Sequence, residues 1–306
     1  MRLPALLLLL AAFTSLSTAR AAQSYIIVDD ETGHILDSSN ANKKRQVASL
    51  TKIAAAMVAL DWAAATDSSM AAEVEVPGGI AGVGGENACG LQPGDRVSLR
   101  DLVYAALMQS DNHAAYTLAY NVGARLPNNE RLDPVGNFTA HMNALARTLR
   151  MKRTLFLNPH GIDNLENPPY STAADLARLT RYAGDNAAFN FAVSQTSREI
   201  NITAPDGTRR AYRLQNTNQL LGQEGIDGVK TGRTSRAGDC VILSSDREPQ
   251  AVDVNGQQAA IPRRIKVVVL GSPDRFGEGL ALVRRGWQLH DKWAAQGRLV
   301  SKRTTL

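Results

Sequence analysis

The chain has 306 residues, 44% hydrophobic and 21% charged, with a formal net charge of +5. That length supplies one large domain or two modest ones with a real core, and the composition excludes disordered and collagen-like chains. So small an excess of positive charge selects no polyanionic partner.

The chain opens on MRLPALLLLLAAFTSLSTARA, with an early Arg2, an apolar run from Leu3 to Phe13 and an Ala19-Arg20-Ala21 pattern that fits cleavage after Ala21. An apolar core of this length falls short of the roughly twenty residues a bilayer span needs. Residues 1–21 therefore read as a signal peptide of an exported protein, periplasmic or extracytoplasmic, soluble or loosely membrane-associated. Its removal takes away Arg2 and Arg20 and no acid, lowering +5 to +3. No later segment is expected to span a membrane.

SYIIVDDETGHILDS holds two strand-like runs around DDETG, a hairpin signal. The alanine-rich run that starts at ASLTKIA, residues 48–54, is helical, and its Ser49 and Lys52 stand three apart on one face. PGGIAGVGGENACG, residues 77–90, is a Gly-rich loop without phosphate-binding spacing. Ser98 with Asp101 caps LRDLVYAALMQ, and Thr172 with Asp175 caps AADLARLTRYA, which stops at Gly184. Between the first hairpin and residue 225 the chain reads as helix and loop. Strands return in GIDGVKTGRT, DCVILSS and RRIKVVVLGS, and EGLALVRRGWQLHDKWAAQG is an amphipathic helix packed on the sheet rather than laid on a membrane. The pattern predicts an α+β fold: an antiparallel sheet of about five strands joining the two chain ends, flanked by helices, with an all-helical subdomain inserted. The domain is set at residues 22–296 and a basic C-terminal tail at 297–306.

The basic clusters Lys43-Lys44-Arg45, Arg209-Arg210, Arg263-Arg264 and Arg284-Arg285 are scattered and lack interleaved aromatics, so they read as solvated surface and not as a nucleic-acid site. Cys89 and Cys240 are the only cysteines; in an oxidising compartment a disulfide and two ordinary thiols are both open. The five histidines, 34, 113, 141, 160 and 290, show no H-E-x-x-H or similar ligand spacing, so neither a metal nor any other cofactor is expected. His160 in NPHGID reads as structural, near the floor of a site. Val229 before Lys230-Thr231 stands where a P-loop needs Gly. The sequons at Asn137 and Asn201 are incidental.

Three short motifs share one chemistry. A lysine one helical turn from a serine can take the hydroxyl proton, provided its pKa falls about three units, roughly 4 kcal/mol, from its usual 10.4. Alone, Ser49-x-x-Lys52 is also an ordinary N-cap. Ser110-Asp111-Asn112 interrupts two helical runs and puts a hydroxyl for proton relay and a carboxamide on a bend. Lys230-Thr231-Gly232 lies in a strand, where a cation and a hydroxyl can hold a carboxylate and the glycine lets backbones approach. Together they form the S-x-x-K, S-D-N and K-T-G set of penicillin-interacting serine enzymes.

With TGHILDSSNANKKRQVASLTKIAAAMVAL, LQPGDRVSLRDLVYAALMQSDNHAAYTLA, FLNPHGID, STAADLARL, NTNQLL and GVKTGRTSRAGDC, the mature chain resembles a low-molecular-mass penicillin-binding protein, a serine D-alanyl-D-alanine peptidase, over nearly its whole length. The resemblance implies a serine β-lactamase/D,D-peptidase-like fold and hydrolysis of D-Ala-D-Ala or D-Ala-linked cross-link bonds of peptidoglycan. It also implies peptide stems as substrate and β-lactams as covalent inhibitors. Ser49 would be the acylated nucleophile, Lys52 its base, Ser110 the proton relay and Asn112 the group orienting the substrate amide. Lys230 and Thr231 would hold the terminal carboxylate beside Gly232, and the N–H groups of Ser49 and Arg233 would form the oxyanion hole.

Val47 replaces the Pro usual before the nucleophile, and Asp111 the frequent Gly of the second motif. Longer relatives add a β-rich C-terminal domain and an anchor. With 74 residues after Gly232, this chain resembles the short branch, which includes D,D-endopeptidases. Two alternatives stand beside it. A class A β-lactamase needs a deacylating glutamate in an E-x-x-L-N setting, whereas Glu130 and Glu166 are followed by RLD and NPP. A non-catalytic muropeptide-binding protein predicts a damaged motif, and all seven motif positions are intact.

Overall fold

The computed structural model describes residues 21–128, 131–254 and 257–306; residues 1–20 of the leader, and Glu130, lie outside them. Strand β1 (Ser24–Asp29) pairs with β2 (Ile35–Ser39) through the expected turn, where Gly33 takes a left-handed φ of 71°. The helices that follow are α1 (Lys52–Thr66), α2 (Leu99–Met108), α3 (Asn112–Gly123), α4 (Pro134–Thr148), α5 (Ala173–Gly184) and α6 (Ala187–Ser194). Ser98 Oγ accepts from Asp101 N and Thr172 Oγ1 from Asp175 N, both at 3.0 Å, so both capping expectations hold. The chain closes with β7 (Ile226–Thr234), β8 (Gly238–Val254), β9 (Gln257–Ser272) and α7 (Arg275–Ala295).

The main sheet has the order β2-β1-β9-β8-β7, and every pairing is antiparallel. Residues alternate between its faces. Ile27, Val241, Leu243, Ile265, Val267 and Val269 meet Val283 and Trp287 of α7, whereas Ile26, Val28, Ile242, Val268 and Leu270 face the core around α1 and α5. A Cβ on Gly286 would stand 2.8 Å from both Ile265 and Ile27, so only glycine lets α7 sit this close. The last helix is therefore a core helix.

The fold class is α+β with a five-stranded antiparallel sheet; the expectation of an all-helical insertion is corrected. A second antiparallel sheet, β3 (Glu73–Glu75), β4 (Arg96–Ser98), β5 (Ser197–Thr203) and β6 (Arg209–Gln215), lies beside the helices in that order. Its buried row includes Val97, Ile200, Ile202 and Leu214.

Ala48–Thr66 is, among the described residues, the one helical stretch long and apolar enough to cross a membrane, and 78% of its apolar window is buried inside the protein. Its apolar character is spent on the core. Cys89 and Cys240 are buried and unbonded to each other. Arg210, Arg263, Arg264, Arg284 and Arg285 each pair with a carboxylate. Residues 304–306 lie along the β1–β2 turn, where Ile35 N donates to Thr304 O and Leu306 N to Gly33 O.

Candidate active site

Ser49 sits in a 3-10 turn, Ala48–Thr51, that leads into α1. Its hydroxyl caps nothing: the residue before α1 is Thr51, without a side-chain cap bond. Ala48 carries φ +50°, a conformation that costs a non-glycine residue of order 1 kcal/mol and gathers at functional sites. Lys52, at the first position of α1, is fully buried. Its Nζ has three neighbours: Ser49 Oγ at 2.9 Å, Asn112 Oδ1 at 2.7 Å and His160 O at 2.9 Å.

Two of these neighbours can only accept hydrogen bonds. A neutral amine has two N–H bonds and one lone pair, so it can donate to Asn112 Oδ1 and His160 O while its lone pair receives the Ser49 hydroxyl proton. Burial pulls the Lys52 pKa down from 10.5 to about 7, against an upward pull from the Asp111 and Glu86 carboxylates. That shift is worth roughly 5 kcal/mol of disfavoured charge.

Asn112 begins α3, and Asp111 caps it: Oδ1 accepts from Ala114 N at 2.8 Å while Oδ2 accepts from Cys89 N at 2.9 Å. The carboxylate at the odd position of the second motif thus pins the Gly-rich loop to the helix. Asn112 Nδ2 donates to Gly84 O at 2.9 Å, and Asn112 N donates to Glu86 O at 2.8 Å. One Nδ2 hydrogen is left over. Ser110, half-buried at the α2–α3 bend, holds φ +67°; among the described residues its hydroxyl makes no hydrogen bond to the lysine cluster.

Strand β7 is an outer strand of the main sheet and lies against the turn that carries Ser49. A Cβ on Gly232 would stand 3.0 Å from Ser49 N and 3.2 Å from Val47 O, so the glycine allows the approach. Lys230 is buried and its Nζ donates to Thr231 O at 2.9 Å. Burial, then the cations of Lys52 and Arg275, push its pKa well down. Thr231 Oγ1 lies 2.6 Å from Thr217 Oγ1. Arg233 turns its side chain to solvent.

His160 supplies its carbonyl to Lys52, and burial followed by the Lys52 charge pulls its ring pKa down to about 3. Its neutral Nδ1 accepts from Ile162 N at 3.3 Å. Motif reading missed the His160 carbonyl, the loop carbonyls of Gly84 and Glu86, and Thr217; only His160 carried a signal, its placement near a site floor. A cavity of about 570 Å³ lies elsewhere, between Asp30, Arg178 and Tyr182. Two cavities flank the motif residues, one of about 500 Å³ walled in part by His160 and one of about 530 Å³ beyond Gly232.

A family profile described as D-alanyl-D-alanine carboxypeptidase matches residues 11–254. The chain is similar to the D-alanyl-D-alanine endopeptidase of Pseudomonas aeruginosa, 31% identical over 73% of this chain and 66% of the relative. It is also similar to the D-alanyl-D-alanine carboxypeptidase DacD of Escherichia coli, 31% identical over 87% and 63%. The chain thus spans just under two thirds of these relatives' length. The crystal structure of the Streptomyces K15 DD-transpeptidase superposes with a TM-score of 0.73 at 27% identity, covering 88% of this chain and 97% of that one. By its match and its fold, this chain belongs to the D-alanyl-D-alanine carboxypeptidase family.

Proposed function

We propose that the chain is an exported serine D,D-peptidase that cleaves D-Ala-D-Ala or D-Ala-linked cross-link bonds in peptidoglycan stems through a Ser49 acyl-enzyme, and that β-lactams acylate the same serine. The observation that carries this reading is the buried Lys52 amine 2.9 Å from Ser49 Oγ with its two N–H bonds already committed.

Ser49 Oγ attacks the carbonyl carbon of the penultimate D-alanine while its proton passes to neutral Lys52. The oxyanion is held by the N–H groups of Ser49 and Arg233, each such donor being worth about 3 to 4 kcal/mol. As the C–N bond breaks, Ser110 gives its proton to the leaving amine and is reprotonated from Lys52. The uncharged amine then takes a proton from the water that attacks the ester, releasing the stem and restoring Ser49. The spare Asn112 Nδ2 hydrogen orients the substrate amide, and Lys230 and Thr231 hold the terminal carboxylate. No metal or cofactor takes part in this scheme.

A class A β-lactamase reading is weaker because Glu166 is exposed and the third partner of Lys52 is a backbone carbonyl. Labelling by a fluorescent penicillin tests the proposal: the wild type forms a long-lived adduct and Ser49→Ala forms none. Rapid turnover of the β-lactam without an adduct points to the lactamase. Mass spectrometry of pentapeptide and cross-linked muropeptides after incubation reads the product.

A further inference from the structure

The cavity of about 500 Å³ lies between the Gly-rich loop, at Val83 and Gly84, and the segment from Asn158 to Leu165. Among the described residues no carboxylate, lysine or arginine lines it, and several of its acceptors are already engaged. Val83 O accepts from His113 Nε2 at 3.0 Å, Gly84 O from Asn112 Nδ2 at 2.9 Å, and Asn158 Oδ1 from Gly161 N at 2.6 Å. One donor is left over. His160 is 9% exposed, and because Ile162 N donates to its Nδ1, the proton of the neutral ring sits on Nε2. That N–H has no hydrogen-bond partner among the described residues and is not sealed from open space. It therefore opens into the cavity that His160 lines, where a donor held without an acceptor is costly.

The direction of a bound stem follows from the D,D-peptidase reading, on which this inference rests. With the terminal carboxylate at Lys230 and Thr231 and the oxyanion at the Arg233 N–H, the peptide lies antiparallel to β7 and its acylated residue pairs with Arg233. The preceding residue then pairs with Thr234, and an L side chain there shares the Thr234 face, opposite Arg233. That face is the inner one. A Cβ on Gly232, two positions back, would stand 3.0 Å from Ser49 N, and Thr234 Oγ1 donates to Asp163 Oδ2 at 2.6 Å. The chain neighbours of Asp163, Ile162 and Asn164, line the cavity. On its other side the stem borders Asn112, whose Nδ2 is bonded to Gly84 O on the opposite wall.

We propose that this cavity is the specificity subsite for the stem residue preceding the acylated D-alanine, and that it selects a side chain ending in a hydrogen-bond acceptor, a carboxylate or its amide, which takes the His160 Nε2–H. An ammonium offers three donors and no acceptor. A lysine side chain therefore sets N–H against N–H and leaves the ring donor unpaired. Where a side chain carries an ammonium beside its carboxylate, the ammonium stays at the mouth, beside the exposed Asn164.

The test uses three pentapeptide stems that differ only at this residue, carrying meso-diaminopimelate, the same residue amidated at its distal carboxylate, or L-lysine. The kcat/KM for D-alanine release is measured with wild type, His160→Asn and His160→Gln. One hydrogen bond made, against a donor left unpaired, predicts a wild-type preference of about tenfold for both diaminopimelate stems over the lysine stem. His160→Asn keeps an acceptor near the Nδ1 position and removes the outer donor, so both ratios fall to within about threefold of one. His160→Gln returns an N–H near the Nε2 position and keeps the preference. A general loss of rate cancels in the ratios. Wild-type ratios near one overturn the subsite whatever the variants do. So does a preference that His160→Asn leaves unchanged, or one that His160→Gln loses as fully as His160→Asn. Preference for the free but not the amidated stem overturns the selection of an uncharged acceptor. Parallel penicillin labelling of wild-type Ser49 separates the two levels: labelling with flat ratios overturns the subsite alone, and absence of labelling overturns the peptidase reading with it.

Discussion

Lys52 and Asp111 hold the site's electrostatic balance. Burial drives the lysine toward its neutral form, and the Asp111 carboxylate opposes this. Asp111→Asn removes that opposing charge, so the Lys52 pKa falls further and the acid limb of the acylation rate moves to lower pH. An Asn oxygen also cannot serve Cys89 N and Ala114 N from two carboxylate atoms, so a loss of about 1 to 2 kcal/mol is expected in urea unfolding. A pH–rate profile of penicillin acylation, read beside the urea midpoint, checks both effects. The residues of the three motifs were legible in the sequence because each group spans three or four positions and its chemistry depends on side chains. His160 and Gly84 were not legible as partners, because they contribute backbone carbonyls that any residue type could supply. Asp111 was visible only as a departure; its two bonds depend on where the Gly-rich loop folds back.

At the scale of elements, the turn that carries Ser49 is approached closely from two sides, by β7 and by the loop at Gly161, each through a glycine. Gly232→Val places branched carbon where Ser49 N and Val47 O already crowd a Cβ, and displacing the strand by even 1 Å is expected to slow acylation by about a hundredfold. Gly161 differs in kind: its φ is +89° and a Cβ would stand 2.0 Å from Ala48 O. Gly161→Ala should therefore lose stability as well as rate, by about 2 kcal/mol or more in thermal unfolding. The first hairpin, the capped helices and the C-terminal strands were readable because caps, turn residues and periodicity agreed. The second sheet was not. Strands β3 and β4 are three residues each, too short to show a period. The β5–β6 hairpin did leave a signal, Ile200 and Ile202 in alternation followed by Pro205-Asp206-Gly207, which is turn chemistry between two strands.

The whole molecule closes a sheet and a helix-rich lobe over one amine, and the two parts meet at Lys52. On the far face of the sheet, Trp287 is 1% exposed, and its Nε1 donates to Ser245 Oγ at 2.8 Å. Trp287→Ala is expected to cost about 3 to 5 kcal/mol, seen as a lower denaturant midpoint, while the pH dependence of acylation in the folded protein stays in place. The antiparallel sheet that joins the chain ends was legible from strand-like runs at both ends, whereas the burial of Lys52 was not, because it depends on segments as far apart as His160 and Asn112. The measurement closest to the central claim is the rate constant for acylation of Ser49 by a penicillin, followed from pH 5 to pH 10. Loss of one proton with a midpoint near 7 is the expected result, since Lys52 acts as base only when neutral and its pKa is held at about 7. A rate that is flat over this range, or that rises only near the ordinary lysine value of about 10.4, would contradict the account.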